Sequence, residues 1–311
     1  MKTKPIIIST LVMLLLAACS KDDKINDEGV PFMVRFNSLI VATQTRTTDG
    51  GNQWVTDDPV GIYMVNHGET LAAESIAEEA DNRQYKAIGS NTADTGFNPA
   101  ESNQTIFYPQ NGDKVDFVAY YPYRQDITEH KYAVDVSDQS APAAIDLLYA
   151  KTNNDGEGYN KQSGQVTLPF RHPLSKLAIT VAAGNGIVSL EGLRITINGM
   201  NTTADFNLAQ GELSNQGNPN YIQPYNVNGS NTYEAILLPI NTLSADHYVE
   251  FELDDIIYKW QINLPDNALE AGKKYAYTIT ITGKGVEGAT GNIDSWDEQP
   301  EGTGNTREPK K

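Results

Sequence analysis

The side chains of this chain that could do covalent or metal chemistry are few and scattered. There is one cysteine, Cys19, so no intramolecular disulfide can form. It closes Leu16-Ala17-Ala18-Cys19, at the end of an apolar run from Ile6 that follows Lys2 and Lys4. A thiol in that position suits acylation rather than catalysis. The four histidines, His67, His130, His172 and His247, share no metal-ligand spacing, and zinc needs three or four convergent ligands. His172 lies between Arg171 and Pro173 just before a strand pattern and reads as structural. Asn153, Asp155 and Glu157 alternate oxygen donors in a Gly-containing loop, but not at the spacing of an EF-hand loop. Asp57-Asp58 and Asp254-Asp255 are adjacent carboxylate pairs. Glycoside hydrolysis needs two carboxyls converging in a cleft, whereas neighbours on a strand point to opposite faces, so these pairs read as solvated turns. No Gly-x-Ser-x-Gly elbow or phosphate-binding loop is present. The expectation is no catalytic residue, no metal, no cofactor and no enzyme activity.

The apolar run is too short to cross a bilayer as a helix and reads as the core of a secretory signal. Leu-Ala-Ala-Cys resembles the bacterial lipobox, which implies cleavage before Cys19 and acylation, palmitate-like, of its thiol and new amino terminus. Each buried methylene then contributes about 0.8 kcal/mol of anchoring. Ser20-Lys21-Asp22-Asp23-Lys24 resembles the surface-export tag of Bacteroidetes lipoproteins. Residues 1–18 are thus expected to be the signal peptide and 19–29 a lipid-anchored linker, with the protein at the outer face of the outer membrane. The net charge is -17 and becomes more negative once Lys2 and Lys4 leave. Such a surface repels phosphate backbones, which excludes nucleic acid as a partner.

The elements that must position any site are short alternating runs separated by Gly, Asn, Asp and Pro. Phe32 to Val41, Val60 to Val65, Val115 to Tyr120, Val166 to Phe170 and Leu174 to Val181 fit half-buried strands. Leu193 to Ile197, Tyr233 to Leu238, Tyr248 to Leu253, Ile256 to Leu264 and Tyr275 to Ile281 continue the pattern. Leu71 to Ala80 alone has helical composition. The class is all-β, of sandwich type. The polar stretch from Lys151 to Gly164 suggests a division near Gln165, into domains at 30–164 and 165–296. Asn198 to Thr232 reads as a display loop, and 297–311 as a disordered tail. Trp54, Tyr121 and Tyr123 either fill the core or, if exposed, offer ring faces to a glycan.

Several segments, in order, resemble the fimbrillin family of Bacteroidales, the subunits of lipoprotein-derived type V pili. They are Thr45-Arg46-Thr47-Thr48 with Trp54 and Gly61-Ile62-Tyr63, Tyr120-Tyr121-Pro122-Tyr123, and Asp146-Leu147-Leu148-Tyr149-Ala150-Lys151. Phe170-Arg171-His172-Pro173-Leu174-Ser175-Lys176-Leu177 is the most specific; Leu269 to Tyr275 and Ile293-Asp294-Ser295-Trp296 complete the set. The resemblance implies two tandem transthyretin-like β-sandwich domains. It also implies proteolysis after an arginine, matched here by Arg46, that removes the first strand. A neighbouring pilin subunit's strand then fills the groove by β-strand addition, which carries the processed protein into the fimbrium. Phe32, Val34, Phe36 and either Leu39 or Val41 would be the groove-filling side chains, with a bulge near Ser38. Asp297 to Lys311 holds no Val, Ile, Leu, Phe, Tyr or Trp and could not act as a donor strand. That favours a tip or accessory subunit acting in adhesion. A base anchor and a monomeric surface glycan-binding lipoprotein are the alternatives.

Overall fold

The computed structural model describes residues 31–40, 53–90, 92–264 and 266–296. Its strands, in chain order, are β1 (Phe36–Ile40), β2 (Pro59–Asn66), β3 (Arg83–Ala87), β4 (Asp94–Pro99), β5 (Val115–Tyr121), β6 (Lys131–Asp135), β7 (Leu148–Thr152) and β8 (Val166–Phe170). There follow β9 (Ser175–Ala183), β10 (Arg194–Asn207), β11 (Glu212–Ile222), β12 (Tyr225–Asn226), β13 (Thr232–Leu237), β14 (Tyr248–Leu253), β15 (Ile256–Gln261), β16 (Lys273–Thr282) and β17 (Gly285–Ser295). The fold is all-β, as its period-two alternation requires.

The first sheet has seven strands in the order β7-β5-β2-β3-β4-β1-β8. Its two edges meet: Tyr149 and Arg171 exchange backbone hydrogen bonds, each 2.9 Å, so the sheet curls back on itself. The interior is filled by Phe36, Ile62, Tyr85, Phe117, Leu168, Phe170 and their neighbours. β2 and β5 are buried on both faces, which is why they read as nearly unbroken apolar runs rather than clean alternations. Their second face carries Tyr63, Val65, Val118 and Tyr120 into another cluster.

That second cluster is formed with two five-stranded sheets. One runs β11-β10-β14-β15, with β6 pairing β10; the other runs β12-β13-β9-β16-β17. Phe206, Phe251 and Trp260 from the first and Leu177, Ile179, Leu237 and Ile279 from the second share it.

Three expectations are modified. The sheets do not part at Gln165: β8 pairs in parallel with β1, and β6 pairs with β10 far downstream. The polar segment from Asn198 is not a loop. It is the second half of β10 and an exposed edge strand, β11, whose register shifts twice. Edge strands tolerate Asn, Gly and Pro because one side of their backbone faces water. Within Leu71 to Ala80 only Ala73–Ser75 forms a helical turn.

Candidate functional site

The first strand is an insertion, not an edge. β1 runs antiparallel to β4, with Phe36 opposite Phe97, and parallel to β8, with Phe36 beside Val166 and Ile40 beside Phe170. Bonds beyond the strand lengthen the seam: Tyr108 N–H donates to Phe32 O and Val34 N–H to Ile106 O, both at 2.9 Å, and Val166 N–H to Arg35 O at 2.8 Å. Val34, Phe36, Ser38 and Ile40 point inward and are buried. Phe36 meets Tyr85 and Phe117 edge-on at 5.2 and 5.1 Å. Burial of each large apolar side chain here is worth about 1.5–3 kcal/mol. Taking β1 away would leave β4 and β8 unpaired along facing edges and open a trough into the aromatic interior.

Val34 and Phe36 of the expected groove-filling residues thus face inward. Phe32 is 52% exposed and lies beside Tyr108, ring centroids 6.4 Å apart. Leu39 is on the outward face and only partly buried. No bulge interrupts β1 at Ser38, so strict alternation carries Ser38 and Ile40 into the interior instead. Val41, Arg46 and Cys19 lie outside the described residues.

A second feature of the geometry is a joint between the curled sheet and the other two. His172, at the end of β8, stacks on Trp296 with centroids 3.8 Å apart and planes 9° apart. Its Nε2 lies 3.5 Å from the buried Asp146 carboxylate. Trp296 N–H donates to Gly272 O, and Gly272 N–H donates to Leu174 O at 2.8 Å. Ser175 Oγ donates to Glu270 O at 2.6 Å. Gly272 has φ +68°, a left-handed conformation suited to glycine. Below the Trp296 ring, Lys176 on β9 pairs with Glu234 on β13 at 2.7 Å, and Lys274 on β16 approaches the same carboxylate at 3.6 Å. Burial, then the neighbouring Lys176 charge, lowers the Lys274 pKa.

The fimbrillin-like family model matches residues 45–296, a span that takes in this joint and every strand from β2 to β17. A relative in Bacteroides uniformis, the candidate fimbrium subunit Fim1C, is 31% identical over 95% of this chain and 96% of its own length. The chain belongs to the fimbrillin-like family. A solved structure, a candidate cell adhesion protein from B. uniformis, is 30% identical and superposes with a TM-score of 0.71 over 85% of this chain and 98% of the other. A second, from Bacteroides ovatus, has the same fold at 20% identity, with a TM-score of 0.65 over 87% and 100%.

In this fimbrillin-like chain four of the segments that carried the resemblance converge. Asp146, Tyr149, Arg171, His172, Ser175, Gly272 and Trp296 come from four separate stretches and meet at the joint. Sequence reading treated them as separate matches. The one local signal for their meeting was a charged or ring residue in each at a strand end.

Of the three aromatic residues that either fill the core or face a glycan, none is fully exposed. Trp54 is 1% exposed and packs against Phe97, Tyr121 and Phe170 at 5.2, 5.6 and 5.1 Å. Tyr121 is half-buried beside it, and burial raises its pKa. Tyr123 is half-buried against the second cluster. The position of Tyr121 on β5 and the bridge from Trp54 to Thr92 turn these two rings toward the interior. The histidines stay apart: His67 Nδ1 is 2.8 Å from Asp116, and His247 Nδ1 accepts from Ser244 N–H at 2.8 Å. Among the described residues no group of three His, Cys, Asp or Glu is placed to hold a metal.

Proposed function

We propose that this chain is a lipoprotein-derived subunit of a surface fimbrium, acting in adhesion as a tip or accessory subunit that accepts a neighbour's strand in the place of β1. The observation that carries the reading is the position of β1. It is the first strand among the described residues, lies between β4 and β8 and is buried on its inner face, while Arg46 follows six residues after Ile40 in the sequence. One cut there would free the strand from the rest of the fold. Family membership and the likeness to a fimbrium subunit and an adhesion protein support assembly with other pilin subunits at the cell surface.

Acceptance without donation is supported at the other end. β17 is paired along its length with β16, and Trp296 is buried immediately after it. Residues 297–311 contain no large apolar side chain able to fill a groove. The role is structural, built on strand pairing rather than catalysis.

Mass analysis of the native surface protein tests the reading. A chain beginning at Thr47, held in fimbriae with another subunit, is the expected result. A chain beginning at acylated Cys19 with β1 retained would make this the base anchor. A monomeric, unprocessed protein would remove it from fimbrial assembly.

A further inference from the structure

Resting on that strand-replacement reading, we infer that the groove selects its incoming strand by size at one position. The accepted strand is a segment of another subunit with large apolar side chains at alternate places, interrupted at the third inward place by a residue no larger than serine. β1 supplies the template. Its inward residues are Val34, Phe36, Ser38 and Ile40, and three of the four are large and apolar. Ser38 is wholly buried between them. It stands opposite Thr95 on β4 and beside Leu168 on β8, itself fully buried.

Two groups of rings occupy the interior that β1 faces. Phe36, Tyr85 and Phe117 form one, and Trp54, Phe97 and Phe170 the other, with neighbouring centroids 5.1–5.2 Å apart. Interiors are packed at crystal-like density, so a leucine or phenylalanine at this wholly buried place would have to displace its neighbours. The local chemistry also suits a small group. Ser38 Oγ accepts from Thr95 N–H at 3.2 Å and donates to Thr95 O at 3.3 Å. The Thr95 hydroxyl is already engaged with Gly89 N–H at 2.7 Å and Gly96 O at 3.2 Å, so it is not waiting for a larger polar partner. The outward places, Arg35, Asn37 and Leu39, are exposed or partly exposed and leave the donor free to vary there. Direction is set as well: the strand must run antiparallel to β4 and parallel to β8.

The test uses the full chain with a sequence-specific protease site inserted after Arg46. The cut protein is unfolded in urea and refolded with an excess of labelled peptide spanning residues 31–41, so that slow exchange does not mask binding. Peptides carry the native sequence, Ser38→Ala, Ser38→Leu, Ser38→Phe or, to break the apolar phase, Phe36→Asp. The native and Ser38→Ala peptides should be retained with closely similar affinity and raise the melting temperature. Ser38→Leu and Ser38→Phe should bind about ten- to a hundredfold more weakly, and Phe36→Asp should not bind. Equal retention of the leucine, phenylalanine and native peptides would overturn the size rule while leaving strand replacement intact. Failure of the native peptide to bind would overturn strand replacement itself, and the size rule with it.

Discussion

Trp296 and the three charges beneath it show how a few side chains tie distant strands together. Glu234 serves two lysines: Lys176 at 2.7 Å holds the carboxylate closely, and Lys274 stands further off at 3.6 Å. All three are nearly inaccessible to water. Removing the shared anion takes the closest counter-charge from buried Lys176 and weakens the surroundings of buried Lys274, so Glu234→Gln should cost about 3–5 kcal/mol in urea unfolding. Lys274→Met leaves the closer pair intact and removes an ammonium whose pKa is lowered by burial and then by the Lys176 charge; it should change stability by no more than about 1 kcal/mol. Equal losses for the two variants would mean that the carboxylate depends on both lysines alike. Cys19 is the other residue with a chemical role in this reading. As the sole thiol it is the sole acylation site, so Cys19→Ser should move the protein from the membrane fraction to the soluble one. A serine variant that still sediments with membranes would remove the lipid anchor from the account.

At the scale of elements, β1 is where the proposed assembly and stability coincide. The same inward side chains that complete the first sheet would be replaced by a partner's, so the inward set can be read from stability alone. Phe36→Ala in the uncut chain should cost about 3–5 kcal/mol, because it empties a site between Tyr85 and Phe117. Phe32→Ala, at a half-exposed ring, should cost less than about 1 kcal/mol. Similar costs at both positions in chemical denaturation would show that Phe32 belongs to the groove-filling set after all. The neighbouring pair β2 and β5 explains another segment. Gly61 pairs with Tyr120, whose ring lies so close over the glycine that a Cβ there would collide with it. Glycine in Gly61-Ile62-Tyr63 is thus the space for an aromatic ring on the adjacent strand. That ring is in turn held by bonds from Tyr120 Oη to Asn82 Oδ1 at 2.8 Å and to Arg124 O at 2.9 Å.

For the molecule as a whole, tyrosine is the dominant buried group that titrates. Burial raises Tyr85 and Tyr149 to about 12 and pushes Tyr63, Tyr108 and Tyr120 upward as well. A phenol whose folded pKa lies above its unfolded value near 10 contributes stability that is intact below pH 10 and lost as the pH rises through the folded value. Several such phenols act together, so the fold should give way steeply between about pH 10 and 12. A tyrosinate absorbance titration follows the phenols, which ionise near pH 10 when unperturbed. The buried phenols should follow only as near-ultraviolet dichroism collapses. A single wave near pH 10 with intact dichroism would contradict the burial of these rings.

The sequence alone determined what local chemistry controls: the strand alternations, the apolar run that precedes Cys19, the acidic charge, and the motifs that identify the family. Strands such as β2, β5, β9 and β16 were legible because their apolar residues recur with strand period or fill both faces. β11 and β17 were not, since an edge strand needs little apolar content and its polar residues read as loop. The tertiary structure decided partnership. Nothing local in Val166 to Phe170 says that it lies parallel to β1, or in Lys131 to Asp135 that it joins β10. Such pairings are settled by which hydrophobic faces remain to be covered once the whole chain has collapsed. The same holds for Trp54, whose ring could have faced a sugar or the core; it is Phe97 and Phe170, brought in by β4 and β8, that enclose it.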